Sequence, residues 1–331
     1  MNKVMVIAEA GVNHNGDIKI AKQLIDAASA AGADAVKFQT YQTNLLAAID
    51  VKKADYQIRN TGSTHSQYEM LKELELSYED FENLYDYCAY RNIMFLSSPF
   101  DEESMEFLDQ LGMEILKIPS GEITNYTYLL KASSQNKPIL LSTGMSTLDE
   151  IKDAVNLLDP GRNPITLLHC VSNYPTPAEE ANLNAIKKLR ETFLVPVGYS
   201  DHTAGIEIPI AAAALGACVI EKHMTLDKTM PGPDHRASLE PDEFKQMTDG
   251  IRIMEQAMGD GSKIPSKEEL KNRESVRKYL VAAKDMNKGE VLTQSHLCAK
   301  RCGFGISPMK IPELLGTTAN RDYKENERMK L

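Results

Sequence analysis

The chain has 331 residues, 42% of them hydrophobic and 25% charged, with a net charge of −10. That length allows one large domain and a small one, and the composition is that of an ordinary globular protein. The acidic balance argues against a general nucleic-acid or anionic-membrane surface, so an anionic ligand needs a local basic pocket. No apolar run is long enough to span a bilayer, and MNKVMVIAEAG has too short an apolar core for a signal peptide. Cys88, Cys170, Cys218, Cys298 and Cys302 are odd in number and mostly sit in apolar contexts. They read as reduced thiols of a cytoplasmic protein. Cys298 and Cys302 lack a second pair at metal-site spacing, so zinc is not assigned.

One unit recurs along most of the chain: a short apolar run ending in polar residues, then an amphipathic helical stretch. The runs are Val4–Ala8, Ala35–Phe38, Ile93–Leu96, Ile115–Ile118, Ile139–Leu141, Ile165–Leu168, Val195–Val197 and Cys218–Ile220. Near-continuous apolar strands separated by helices mean a parallel sheet buried on both faces. Asp17 precedes a helical pattern that stops at Gly32, Asp101 starts another, and Thr147 with Glu150 forms a capping box. Eight such units predict a (β/α)8 TIM barrel. A doubly wound sheet is the alternative, weakened by the absence of a Gly-rich dinucleotide loop after the first run. The polar stretch between Thr40 and Ser77 reads either as a lid or substrate wall, or as a helical surface excursion. The sequence predicts a barrel over residues 1–262, a partly helical linker over 263–278, and a β-rich module over 279–331 with little core of its own.

In a parallel barrel the C-terminal ends of the strands build the active site. Here every end carries a donor, base or ligand type. Lys37 and Lys117 end otherwise apolar runs; they meet either an anion or a carboxylate such as Glu9 or Glu122. Ser98, Ser120, Ser142 and Ser200 are small hydroxyl donors, each singly explicable as a cap or turn. Together with the lysines they form a phosphate or carboxylate cradle. His202 and His223 end adjacent runs and make an open metal site able to polarise a carbonyl. Ligand preference alone allows zinc or another imidazole-loving metal. Glu9, Glu122 and Asp234 are candidate bases or hydroxyl binders. His14 and His235 read either as further contacts or as exposed loop residues.

The segments GVNHNGD, VKFQ, FLSSPFD, KIPSGEITN, ILLSTGM, LLHCVSNYPTP, GYSDHT, EKHMTLD, GPDHRASLEP and KRCGFGIS resemble, in order and over nearly the whole chain, the bacterial sialic acid synthases. The resemblance implies condensation of phosphoenolpyruvate with an N-acetylated hexosamine, a TIM barrel, and a C-terminal antifreeze-like (SAF) domain. It also implies a homodimer in which that domain is swapped onto the partner's barrel. By the same resemblance His202 and His223 hold a divalent metal, usually manganese, with magnesium or cobalt as alternatives. Phosphoenolpyruvate contacts fall on Lys37, Ser98, Lys117, Ser120, Ser142 and Ser200. Ser172 takes a position where some members have Asn, and Asn173 is its neighbour. Sugar contacts fall on Gln39, Glu122, Tyr174 and Asp234, and an arginine from the partner's SAF domain falls on Arg301. An aromatic residue that some members use has no match near Ser275–Arg277. Glu9 is expected to activate the attacking water, with Glu122 and His223 as further catalytic groups. The sugar expected is N-acetylmannosamine; a legionaminate synthase acting on a diacetamido-trideoxymannose, and a pseudaminate synthase, are alternatives. Readings of other classes are a non-catalytic sugar- or ice-binding protein and a divalent-metal aldolase using pyruvate or a sugar phosphate.

Overall fold

Strands built from Val, Ile and Leu alternate with amphipathic helices through most of the chain. The structure is a computed structural model and describes residues 3–62 and 65–330. The strands are β1 (Met5–Gly11), β2 (Ala35–Thr40), β3 (Met94–Pro99), β4 (Leu116–Ile118), β5 (Ile139–Ser142), β6 (Ile165–Cys170), β7 (Val197–Asp201) and β8 (Val219–His223). All pair in parallel in the order β3-β2-β1-β8-β7-β6-β5-β4. β3 and β4 lie side by side without a ladder and complete the barrel. Most strands run further into their polar ends than the apolar runs suggest, so residues such as Gln39, Ser98 and His223 sit on strand backbone.

The helices follow from caps and apolar spacing. α1 (Ile18–Ala30) is capped by Asp17, which accepts from Lys19 N–H, and it buries Ala21, Leu24, Ile25 and Ala28. That is one face of a 3.6-residue period, and each buried Leu or Ile contributes roughly 1.5–3 kcal/mol. Gly32 ends the turn at φ +78. Three short helices fill the Thr40–Ser77 stretch: α2 (Thr43–Leu46), α3 (Asp55–Thr61) and α4 (Gln67–Leu74). The ring continues with α5 (Tyr78–Tyr90), α6 (Glu102–Gln110), α7 (Tyr126–Ser134), α8 (Leu148–Leu158), α9 (Asn184–Phe193), α10 (Glu207–Ala214) and α11 (Pro241–Met258). Asp101 caps α6 and the Thr147–Glu150 capping box starts α8, as the sequence predicts.

Outside the barrel wall, Lys222 of β8 and Asp201 of β7 form a fully buried ion pair at 2.6 Å. Removing one partner strands a buried charge, so Asp201→Ala should cost about 3–5 kcal/mol in chemical denaturation. A loss below ~1 kcal/mol would show that the pair is not what ties β8 to β7 on this side.

The chain divides into two units, Met1–Asp260 and Gly261–Leu331. The second holds α12 (Lys267–Val276) and an antiparallel pair, β9 (Lys278–Ala282) and β10 (Leu297–Arg301), followed by α13 (Ile311–Leu314). Contrary to the expectation of little core, it has its own apolar cluster. Leu280, Met286, Leu292, Leu297, Tyr323 and Met329 are all buried there. Spaced singly between turns in sequence, they give no periodic signal. Among the described residues, no helix is long and apolar enough to cross a membrane.

Candidate active site

Strand alternation decides which side chains enter the barrel mouth. In β8, Glu221 and His223 line the cavity while Lys222 points away to Asp201; Ser200 of β7 and His202, the residue just past its end, also line it. Register then levels the groups: Glu9 lies beside Lys37 on one side and His223 on the other, and Ser200 beside Glu221. The result is a cavity of about 430 Å³ that gathers Glu9, Lys37, Gln39, Ser98, Lys117, Ser120, Ser142, Ser172, Tyr174, Ser200, His202 and His223.

Its basic side is a network of buried charges. Lys37 Nζ donates to Ser98 Oγ at 3.0 Å and Lys117 Nζ to Ser142 Oγ at 2.9 Å. Lys37 also pairs with Glu9. The Glu221 carboxylate sits between the two ammonium groups, 3.8 Å from Lys37 and 3.7 Å from Lys117, and accepts from Ser200 Oγ at 3.0 Å. Burial pulls Lys37 down, but Glu221 and Glu9 more than offset it and hold it above its ordinary value. Burial lowers Lys117. Burial raises Glu9 to about 7 against the opposing pull of Lys37, while the two lysines keep Glu221 low despite its burial. Two carboxylates share two cations, and the one left partly protonated near neutrality is Glu9. Glu9 meets Lys37 through its Oε2, whereas Glu221 Oε2 has no partner within hydrogen-bond distance. Gly144 closes this side: its N–H donates to Ser120 Oγ at 2.9 Å, and a Cβ there would lie 2.4 Å from Ser172 Oγ.

Opposite stand the imidazoles. His202 Nδ1 donates to Val171 O at 2.7 Å, which directs Nε2 to the cavity side. Burial lowers His202, but the Cys170 thiol, 3.8 Å away, and the Val171 carbonyl outweigh it and hold it above its ordinary value. Burial pushes His223 well below its ordinary value, so it is neutral, and its Nδ1 has no partner. The two rings lie 5.4 Å apart. No group of three or more His, Cys, Asp or Glu is arranged to hold a metal among the described residues. A neutral, unpartnered nitrogen beside a second imidazole nonetheless fits an open site that leaves positions for water or substrate. Tyr174 packs at a tilt against His202 with ring centroids 4.1 Å apart, and Tyr56 of α3 stacks on Tyr174 at 4.8 Å.

Asp234 lines an adjoining cavity of about 270 Å³ with Gln39, Tyr174 and His223; burial raises it to about 6. Glu122 lines neither cavity: its carboxylate is held by Asn125 Nδ2 at 2.7 Å. Arg301 is an exposed residue of β10, in the other unit. His14 and His235 are buried, not exposed as loop residues would be. His235 bridges Thr225 and Asn15, and His14 accepts from Gly16 N–H, so both fasten the loops they sit on. Glu221 is the group sequence reasoning missed. Its signal is Glu-Lys-His at a strand end, where alternation puts Glu221 on the face of His223.

These features define a (β/α)8-barrel enzyme whose mouth joins a cationic, hydroxyl-lined pocket to paired imidazoles. Residues 24–263 match the NeuB family and residues 277–327 the SAF domain, and the chain belongs to the NeuB family. It is 52% identical over 330 residues to the N,N'-diacetyllegionaminic acid synthase of Campylobacter jejuni, covering 99% of each chain. It is 47% identical over 317 residues to the Legionella pneumophila enzyme of the same name, covering 94% of this chain and 89% of that one. The crystal structure of N-acetylneuraminic acid synthetase from Leptospira borgpetersenii is 37% identical with a TM-score of 0.72, covering 83% and 93%.

Proposed function

We propose that the chain is an N,N'-diacetyllegionaminate synthase. It condenses phosphoenolpyruvate with 2,4-diacetamido-2,4,6-trideoxymannose and water, giving the nine-carbon acid and phosphate. What carries this reading is the 52% and 47% identity, over nearly the full chain, to two synthases of that name. The N-acetylneuraminic acid synthetase stands at 37%, so the likeness favours the diacetamido sugar over the N-acetylmannosamine expected from sequence.

In this reading Lys37, Lys117 and the serines 98, 120, 142, 172 and 200 hold the phosphate and carboxylate of phosphoenolpyruvate. Ion pairs with Glu9 and Glu221 keep both ammonium groups in place before the anion arrives. His202 and His223 would hold a divalent cation, manganese by family likeness, which supplies Lewis-acid polarisation of the sugar aldehyde. Gln39, Tyr174 and Asp234 orient the open-chain sugar so that its aldehyde carbon meets the alkene carbon of phosphoenolpyruvate. The new C–C bond turns the aldehyde oxygen into an alkoxide, which takes up a proton from solvent, and leaves an oxocarbenium centre at the second carbon. Glu9, poised near neutrality by burial, takes a proton from the water that adds there. Phosphate then leaves with the C–O bond electrons. Glu122, held by Asn125 beyond the cavity, is a weaker candidate for direct contact. The same reading extends to a cytoplasmic homodimer with residues 1–262 as catalytic domain, 263–278 as linker and 279–331 as SAF domain. A second copy's SAF domain would then bring Arg301, exposed on β10, to an N-acetyl group of the sugar.

The test is phosphate release from phosphoenolpyruvate. Release is expected to require a sugar, to be fastest with the diacetamido sugar, to be abolished by chelation, and to return on adding a divalent cation. Sugar-independent release, or full turnover in the metal-free enzyme, would contradict the reading.

A further inference from the structure

The adjoining cavity of about 270 Å³ has two unlike parts. Gln39, Tyr174 and His223 line both this cavity and the anion pocket. A wall made by α2, α3 and α4 borders both, and its floor in this cavity is apolar. Val12, Met70 and Leu74 are buried there with Leu46, Leu71 and Phe100 packed against them, a cluster separate from the barrel core. A hydroxyl pressed onto that floor finds no partner and loses its water. A methyl group suits it.

Two amides interrupt this wall, and their orientation is fixed from behind. Gln57 Oε1 accepts from Ala54 N–H at 3.0 Å and from Gln67 Nε2 at 3.2 Å. A primary amide nitrogen carries two hydrogens, so Gln57 Nε2 can donate into the cavity, and Gln67 Oε1 accepts no hydrogen bond among the described residues. Both residues line the cavity. The wall therefore presents one donor and one acceptor side by side above an apolar floor. An acetamido group presents the complement: a carbonyl acceptor, an N–H donor and a methyl.

We propose that Gln57 and Gln67 form the subsite for the second acetamido group of the sugar, its methyl resting on the floor of Leu46, Met70 and Leu74. This rests on the diacetamido reading above and names the residues that enforce it. A sugar with a hydroxyl at that carbon leaves one amide unpaired and the floor uncovered.

The test is the ratio of kcat/KM for 2,4-diacetamido-2,4,6-trideoxymannose to that for N-acetylmannosamine, at saturating phosphoenolpyruvate, in wild type, Gln57→Leu and Gln67→Met. Each variant should lower the ratio about tenfold or more, chiefly through KM for the diacetamido sugar. Gln57 also holds the start of α3, so Gln67→Met decides if Gln57→Leu is unstable. A structural role alone would slow both sugars equally and leave the ratio at its wild-type value, which overturns the subsite and leaves the proposed function standing. A wild type that turns over only N-acetylmannosamine overturns both.

Discussion

Glu9→Gln is expected to lower turnover about 10²- to 10⁴-fold while leaving phosphoenolpyruvate affinity within a few-fold. The substitution keeps the volume of the side chain and an oxygen to accept from Gln39 Nε2, which lies 3.4 Å away. What it removes is a base that burial has raised to about 7, beside Lys37 and level with His223. Binding of the anion depends on Lys37, Lys117 and the serines; the variant removes the ion pair of Lys37 with Glu9 but leaves Ser98 and Glu221 beside its ammonium. Losing a carboxylate from a cationic pocket should, if anything, strengthen anion binding. Single-turnover kinetics with a direct phosphoenolpyruvate titration separates the two effects. A Gln variant with wild-type turnover removes Glu9 from water activation, and Glu221 becomes the remaining buried carboxylate in reach.

Lys117→Met should do the opposite. Its KM for phosphoenolpyruvate is expected to rise roughly 10- to 150-fold, the loss of one hydrogen bond to a charged group. The KM for the sugar should move little. Without Lys117, Ser142 Oγ loses the donor at 2.9 Å, and Glu221 faces Lys37 alone. The pocket then holds as many carboxylates as before but one cation fewer, and repels the anion it should attract. Equal rises in both KM values would show that Lys117 supports the barrel mouth as a whole and does not hold the anion.

The barrel was legible because its signals are local and repeat. Apolar runs, a cap such as Asp17 or Asp101, and a stop such as Gly32 recur often enough to fix the layer order. The mouth was legible for the same reason, since parallel strands deliver their ends to one edge. Glu221 escapes because the apolar run Cys218–Ile220 stops just before it; strand alternation places it on the face of His223, two residues on. For His14 and His235 the sequence leaves contact and exposure both open, because loop position alone does not reveal the partners Gly16, Thr225 and Asn15. The core of the C-terminal unit escaped because its members, from Leu280 to Met329, are brought together by turns rather than by a helical or strand period. The Gln57–Gln67 pair lies on two separate short helices. No spacing rule links them, and only the folded wall shows that one amide braces the other.

The central claim is the identity of the sugar. It is tested most directly by competition: equimolar N-acetylmannosamine and 2,4-diacetamido-2,4,6-trideoxymannose with limiting phosphoenolpyruvate, and the products separated by mass. The account predicts that the diacetamido nine-carbon acid predominates by at least about tenfold, the scale of one hydrogen-bonded group in a closed pocket. A product mixture dominated by N-acetylneuraminate would contradict it.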